Sequence, residues 1–241
     1  MEATRRHELQ MITAVDLTLT YSEVEQGVIE AETRGRAPTA LAPWVVEAAE
    51  RAMPLEGRSG IAFLGSYGHP PNRDAVDFFL ADVWPLLRQQ HPEQRFHLYG
   101  SGLTEELRQN WGSIPGVVVE GWVADTASVF DQHRVCIAPL RSGAGLKGKV
   151  VGALARGMPQ VLSPMAAEAT GLRDGQEFLL ADRPEDWLRQ LGRLLDDDAL
   201  WQTMSAAALT HARTHFSLER GLARMAAALR QLDLPVREVV A

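Results

Sequence analysis

The feature that most constrains the fold is a regular alternation of short apolar segments with helical patterns between residues 61 and 195. Each apolar segment is brief and nearly continuous, which is typical of parallel strands buried on both faces. The sequence therefore predicts an α/β fold, a Rossmann-like parallel sheet with helices on both faces and further helices at the C-terminus. The predicted strands are residues 61–66, 95–100, 117–123, 135–140, 160–164 and 178–182.

Polar residues at the predicted helix starts support the same alternation, because Ser, Asp and Asn side chains accept hydrogen bonds from the first turn of a helix. The predicted N-caps are Ser22, Asn72, Asp125, Asp198 and Ser217. Ahead of the sheet, residues 12–22 predict a strand, residues 35–43 a break and residues 44–54 a helix or connector.

Glycine-containing loops follow four of the predicted strands, and they read GSYGHPPN, GSGLTE, GWVADT and RSGAGLKGK. The carboxyl ends of parallel strands share one edge of a sheet, where ligands bind in such folds. The fourth loop, Arg141–Lys149, combines three glycines with Lys147 and Lys149 before a predicted helix. Backbone N–H groups freed by glycine, a helix N-terminus and two lysines together predict a diphosphate site. A tight turn with solvated lysines is the alternative.

Two other nucleotide-binding motifs are disfavoured by the residues themselves. Residues 143–149 fit the opening of a Walker A loop, but position 150 is Val, where that motif needs Ser or Thr to hold magnesium. An NAD-binding fold is disfavoured because neither GSYGHP nor GSGLTE matches GxGxxG. The sequence predicts no metal site: residues 196–198 indicate a solvated turn, and His211 with His215 indicates a surface helix face.

The charge and the cysteine content limit the binding partners and the cellular compartment that the sequence predicts. The net charge of −7 lacks the basic excess that is typical of nucleic-acid-binding proteins. The single cysteine, Cys136, excludes an internal disulfide and a Cys-based metal site, and its apolar neighbours predict a buried thiol in a reducing compartment. Without a signal-peptide or transmembrane stretch, the chain is predicted to be cytoplasmic, with a peripheral position at the cytoplasmic membrane face as an alternative.

Five segments, in this order and spacing, resemble those of group 1 (family 4) glycosyltransferases. They are FLGSYGHPPNRDAVDFF, YGSG, GVVVEGWVAD, VCIAPLRSGAGLKGKVVGALARGMPQVLS and TGLRDGQEFLLAD. The resemblance implies the GT-B fold, in which two Rossmann-like domains face each other across a cleft. It covers about residues 60–216, the C-terminal donor-binding domain. Residues 12–25 are similar to the last strand and helix of the N-terminal, acceptor-binding domain.

The resemblance implies a division into a remnant of the acceptor domain with a linker (residues 1–55), a nucleotide-sugar-binding domain (56–216) and a C-terminal helix and tail (217–241). It also implies roles for individual residues. Lys147 and Lys149 would be catalytic, stabilising charge on the leaving diphosphate. The donor-binding residues would be Gly65, Ser66, Gly100, Trp122, Val123, Gly143 and Gly145, with Trp122 and Val123 lining the base pocket. Family members of this type need no metal or cofactor beyond the donor substrate.

The implied function is retaining transfer of a glycosyl group in glycan biosynthesis, from a nucleotide-diphosphate sugar to a glycan, lipid or protein acceptor. Activity would need the acceptor domain from elsewhere, either from a partner chain or from an upstream segment. Two departures support an alternative. Gly152 stands where many relatives carry a Glu that holds the nucleotide ribose, and Ala144 where many carry an acidic residue. The alternative is a non-catalytic or degenerate nucleotide-sugar-binding module, or one subunit of a split transferase.

Overall fold

The structure, a computed structural model, describes residues 2–52 and 54–236, and these form two compact units. The small unit contains the described residues up to 47 and those from 214 onward, and the large unit contains the described residues between 48 and 213. The predicted domain limits lie elsewhere, at residues 55 and 216. Which residues belong to an acceptor domain stays a prediction.

The helices are α1 (Glu2–Ala14), α2 (Glu23–Thr33), α3 (Pro70–Phe78), α4 (Trp84–Gln90), α5 (Glu105–Gly112), α6 (Thr126–Gln132), α7 (Gly148–Ala155), α8 (Pro164–Ala167), α9 (Pro184–Asp196), α10 (Asp198–His215) and α11 (Leu218–Arg230). The strands are β1 (Thr18–Thr20), β2 (Thr39–Leu41), β3 (Ile61–Leu64), β4 (Phe96–Tyr99), β5 (Val117–Gly121), β6 (Val135–Ala138), β7 (Gln160–Leu162) and β8 (Leu179–Leu180).

The sheet of the large unit has the strand order β5-β4-β3-β6-β7-β8, and every pair in it is parallel. The six strands are those predicted, each shorter by two or three residues. Strand β3 pairs with β4 on one side and β6 on the other, so the strand order reverses beside it. The crevice at the carboxyl ends of two such strands is where ligands bind in doubly wound sheets. The predicted fold class is confirmed.

The core of the large unit explains why these segments form strands. All four residues of β6 are buried, and Cys136 among them is a buried thiol as predicted. Phe79 and Trp84 pack against Phe96 of β4, and Trp187 packs against Phe79, with ring centroids 4.7 to 6.3 Å apart. Aromatic clusters of this kind account for much of the apolar area buried in a domain.

The helix predicted over residues 74–90 is interrupted. A π-helical turn over Phe79–Val83 separates α3 from α4. Pro85, in the first turn of α4, lacks the N–H of a continuous helix, and its ring would meet the carbonyl of Ala81. The wider turn removes that conflict.

In the small unit, the parallel pair of β1 and β2 differs from the predictions. The strand predicted over residues 12–22 is only Thr18–Thr20, because α1 continues to Ala14. The break predicted over residues 35–43 contains β2. Residues 44–54 form no helix where described, since backbone donors there bond elsewhere: Val46 N–H donates to the Phe216 carbonyl at 2.9 Å.

Three of the five predicted N-caps are confirmed. The side chains of Ser22, Asp125 and Ser217 each accept a hydrogen bond from the first turn of α2, α6 and α11 respectively. Asp198 is wrong as a cap. Asp197 accepts from Leu200 N–H at 2.9 Å, while Asp198 pairs with Arg134 at 2.6 Å, because the neighbouring carboxylate already occupies the capping position.

The predictions for Asn72 and His211 are also wrong. The helix α3 begins two residues before Asn72, at Pro70, so the Asn72 side chain is turned to other partners described below. His211 is buried rather than on a surface face, and its Nε2 lies 2.9 Å from the carbonyl oxygen of Thr170. The four-residue spacing of His211 and His215 shows that they share a helix face, but it does not show that the loop containing Thr170 covers His211.

Candidate functional site

The loops that follow β3, β4 and β5 run side by side at the carboxyl edge of the large-unit sheet. Gly65 N–H donates to the Tyr99 carbonyl at 3.0 Å, and Gly100 N–H donates to the Gly121 carbonyl at 2.7 Å. The parallel ladder therefore continues one residue beyond β3 and one residue beyond β4. The first residue of each of these two loops is held at the edge where the sequence predicts a ligand.

Gly100 and Gly65 meet at a contact that excludes side chains. Gly100 has φ +136°, and a Cβ there would lie 1.6 Å from the Gly65 carbonyl oxygen. Next to this contact, the Ser101 hydroxyl donates to the Ser66 hydroxyl at 3.4 Å, and both serines are solvent-accessible. The predicted residues Gly65, Ser66 and Gly100 are thus brought together.

The only two lysines of the chain, out of 24 Lys and Arg residues, lie where the loop after β6 meets α7. Lys147 directly precedes the helix and Lys149 is its second residue. Gly143 and Gly145 have φ +126° and +69°, so the loop follows a path that favours glycine. Lys147 is the N-cap residue of α7, and its ammonium donates to the Gly145 carbonyl. A carboxylate oxygen of Glu168 lies 3.9 Å from the same ammonium.

Lys149, two residues further on, leaves the loop and reaches the start of α3. Its Nζ donates to Oδ1 of Asn72 at 2.6 Å and lies 4.2 Å from the ring centroid of Phe63. Burial lowers the pKa of this ammonium from 10.5 to about 7; the thiol of Cys136 opposes the fall and the charge of Lys147 adds to it. Lys149 therefore links the fourth glycine loop to the loop after β3.

Asn72, predicted as an N-cap, instead connects two parts of the site. Its Nδ2 donates to the Ser66 carbonyl at 2.8 Å, while its Oδ1 accepts from Lys149. It is 7% exposed. The only sequence signal that could have indicated this role is its position after two prolines, which start the helix without needing a cap.

Arg141, at the start of the fourth loop, was also missed. Its Nε donates to Asp74 Oδ2 at 3.0 Å, its Nη2 donates to the other oxygen, and its guanidinium lies 5.2 Å from the ring centroid of Phe78. The hydrogen bond from Arg141 lowers the pKa of the Asp74 carboxyl. This bidentate pair links the start of the loop to Asp74 of α3.

Trp122 and Val123 have different surroundings, although the resemblance assigned both to one base pocket. Trp122 is 70% exposed. Val123 is half-buried and packs against the cluster formed by Ala62, Tyr99 and Val129. Their base-binding roles stay predictions.

Gly152, the residue that departs from the pattern of many relatives, lies in the second turn of α7. A Cβ at this position would be 3.3 Å from Cε2 of Phe130, so the Phe130 ring closely covers the glycine. The position can accept a side chain only if that ring shifts by a few tenths of an ångström.

Within residues 2–52 and 54–236, no group of three or more His, Cys, Asp or Glu side chains could hold a metal ion. Over the same described residues, no helix is both long and apolar enough to cross a membrane.

The large-unit sheet and its glycine loops match a known family and known structures. The family model for glycosyl transferases group 1 matches residues 58–197. An uncharacterized 44.6 kDa protein in the cps region of Klebsiella pneumoniae is 23% identical over 129 residues, which is 51% of this chain and 33% of that protein.

Solved structures share the fold at low identity. Sucrose-phosphate synthase from Thermosynechococcus elongatus is 17% identical with a TM-score of 0.77, over 97% of this chain and 62% of that one. TarM of S. aureus, solved with UDP, fondaparinux and alpha-GlcNAc-glycerol, is 12% identical with a TM-score of 0.75, over 94% and 46%. HepE of Anabaena, solved with UDP and glucose, is 13% identical with a TM-score of 0.75, over 93% and 66%.

This chain thus spans a third of the curated relative and slightly under half of TarM. The family model, in contrast, covers more than half of the chain and includes the loops after β3, β4, β5 and β6. The chain belongs to the group 1 glycosyl transferases.

Proposed function

We propose that this chain is the donor-binding part of a glycosyltransferase and binds a nucleotide-diphosphate sugar at the carboxyl edge of the large-unit sheet. The observation that carries the proposal is the position of the two lysines of the chain. Lys147 ends the loop after β6 and Lys149 is the second residue of α7, beside the strand where the sheet order reverses. Lys149 donates to Asn72 at the start of α3. A diphosphate is the ligand group that matches two clustered ammonium groups and flanking glycine backbone.

The same groups suit the chemistry of glycosyl transfer. When the bond between sugar and diphosphate breaks, negative charge develops on the leaving diphosphate. Donors and charges already fixed at that position stabilise it without reorganisation. Lys147 and Lys149 would supply that charge, and no metal would be required. We further propose that the transfer retains the anomeric configuration, as in the family that the chain resembles.

The acceptor side of the reaction belongs to the proposal as well. HepE and TarM were solved with UDP, and each is longer than this chain. We propose that a domain outside the described residues, in the same protein or in a partner chain, binds the glycan, lipid or protein acceptor. The product would be part of a cellular glycan, made at the cytoplasmic side of the membrane.

Calorimetry with UDP-glucose, GDP-mannose and ADP-glucose tests the donor site. We expect one of the three to bind, and Lys147→Ala and Lys149→Ala each to weaken that binding by about tenfold or more, the usual loss for a charge-assisted contact. Arg95→Ala removes an exposed cation at the amino end of β4 and serves as the matched control. If all three nucleotides fail to bind, or if both lysine variants bind like the control, the proposal is wrong.

A second candidate is a nucleotide-sugar-binding module without transferase activity. Gly152 favours it, since a glycine covered by the Phe130 ring offers no carboxylate to the ribose. Release of nucleotide from the bound donor, in the presence of water or added glycan acceptors, separates the two. Turnover that Lys147→Ala abolishes supports the transferase, while tight binding without any turnover supports the module.

A further inference from the structure

We propose that Asn72 is a positioning residue that couples the two phosphate-facing loops, because one carboxamide holds both the Lys149 ammonium and the Ser66 carbonyl. The inference rests on the proposed function, since a bound diphosphate is what gives the coupling a purpose. Asn72 is not offered as a catalytic residue: it acts through Lys149 and through the backbone of the loop after β3.

The two hydrogen bonds use opposite ends of the Asn72 amide. Nδ2 donates to the Ser66 carbonyl at 2.8 Å, and Oδ1 accepts from Lys149 Nζ at 2.6 Å. An ammonium has only donors and a carbonyl oxygen only accepts, so the chemistry of the partners fixes which end of the amide faces which loop. No aliphatic, acidic or basic side chain of this size could make both bonds.

Packing holds the amide in place. Asn72 is 7% exposed and lies in the first turn of α3. A Cβ on Gly65 would be 2.9 Å from Cγ of Asn72, so the glycine at 65 is what lets the carboxamide lie against the loop after β3. Gly65, Ser66, Asn72 and Lys149 therefore form one interdependent group. Within it, Asn72 and Lys149 are 77 residues apart in the sequence.

A neutral partner matters for the charge of Lys149. Among the described residues no carboxylate forms an ion pair with this ammonium, and its other neighbours are the Phe63 ring, the Cys136 thiol and the charge of Lys147. An amide orients the ammonium without neutralising it, whereas a carboxylate at position 72 would compete with an incoming diphosphate. Asn and Asp have nearly the same shape, so Asn72→Asp separates charge from geometry.

Because the chain has only two lysines, NMR can follow the titration of Lys149 and so test its contact with Asn72. Labelling with ¹³C-lysine gives side-chain NMR signals from Lys147 and Lys149 alone, and Lys149→Arg assigns them. We expect Asn72→Asp to raise the pKa of Lys149 by about one pH unit or more, because a carboxylate within hydrogen-bond reach favours the charged form. The exposed Asn110→Ala is the matched control and should leave the titration unchanged.

Donor binding gives the second measurement, with whichever of UDP-glucose, GDP-mannose and ADP-glucose binds most tightly. We expect Asn72→Ala to weaken binding by about tenfold and Asn72→Asp to weaken it further, while Asn110→Ala binds like the parent chain. Thermal unfolding checks that each variant is folded. If Asn72→Ala fails to fold, the near-isosteric Asn72→Asp carries the test alone.

The outcomes separate the two proposals. Unchanged Lys149 titration together with unchanged affinity in both Asn72 variants overturns the positioning role even if a donor binds. A Lys149 titration that responds to Asn72→Asp, in a chain that binds none of the three nucleotides, supports the contact and overturns the proposed function. A titration response with affinity equal to that of the control shows that Asn72 holds the lysine but does not serve the donor, and it overturns the coupling.

Discussion

Replacing Gly100 with alanine tests the contact between the loops after β3 and β4. The new Cβ would lie 1.6 Å from the Gly65 carbonyl oxygen, and Cβ atoms do not approach other atoms closer than 3.0 Å. The two loops would have to separate by roughly 1.4 Å, which is the difference between these distances. The Cβ position is fixed by the backbone of residue 100 and the Gly65 oxygen belongs to backbone, so no side-chain rotation can relieve the contact.

Two other glycines in the large unit divide the expected cost into parts. Gly175 has φ +75° with nothing within 4 Å of its Cβ position, so Gly175→Ala should cost about 1 kcal/mol of backbone strain alone. Gly192 lies inside α9 with only an ordinary contact at 3.8 Å, so Gly192→Ala should stabilise the fold by about 0.5 to 1 kcal/mol. Gly100→Ala combines strain with overpacking and should cost about 4 kcal/mol.

Denaturant unfolding followed by tryptophan fluorescence measures all three free energies. Five of the six tryptophans lie in the large unit, with Trp44 the exception, so the signal reports on the relevant unit. We expect the midpoint to rise for Gly192→Ala, fall modestly for Gly175→Ala and fall most for Gly100→Ala, at similar slopes. A Gly100→Ala variant no less stable than Gly175→Ala would refute the described contact between Gly100 and Gly65.

Two further predictions concern a buried base and a departure from the family pattern. Burial lowers the pKa of His133 from 6.5 to about 4, so the unfolded chain gains a proton in this range before the folded chain does, and stability should fall as the pH drops from 6.5 towards 4. At about 1.4 kcal/mol per pH unit, the effect is about 3 kcal/mol, and His133→Gln should remove most of it in unfolding measurements at pH 4 to 7.5. An unchanged pH dependence in that variant would contradict the assignment. In the proposed donor site, Gly152→Glu should bind the nucleotide about tenfold more tightly than Gly152→Ala, since the new carboxylate would accept hydrogen bonds from the ribose. Equal affinity of the two variants by calorimetry would show that the Phe130 ring or another group keeps the carboxylate from the ligand.

The six-stranded sheet could be predicted because each strand carries its own signal. Residues 135–140 are apolar throughout, and the four residues that form β6 are all buried. Glycine or proline punctuates the strand ends, so the order of the segments along the chain was enough to predict a parallel α/β sheet. The short strand β2, in contrast, consists of Thr-Ala-Leu between prolines, and only its pairing with β1 makes it a strand.

The role of Asn72 could not be predicted, because its partners are set by the tertiary fold. Locally, an Asn close to an acidic residue at a helix start indicates an N-cap. The structure uses Pro70 and Pro71 to start the helix instead, and the Asn side chain turns to Lys149, 77 residues away. Asp198 shows the same limit, since its partner Arg134 is 64 residues away.

The two lysines at the start of α7 are only two residues apart, yet their surroundings give them different electrostatic roles. The Lys147 ammonium lies 3.9 Å from the Glu168 carboxylate, so the carboxylate partly offsets its positive charge in the absence of a ligand. Lys149 is held by a neutral amide and an aromatic ring, and burial lowers its pKa to about 7. A group with that pKa is about half charged at neutral pH, and a bound diphosphate would favour its protonated form. In the proposed donor site, Lys147 would therefore attract the nucleotide in the empty state, and Lys149 would become fully charged only when the diphosphate is in place.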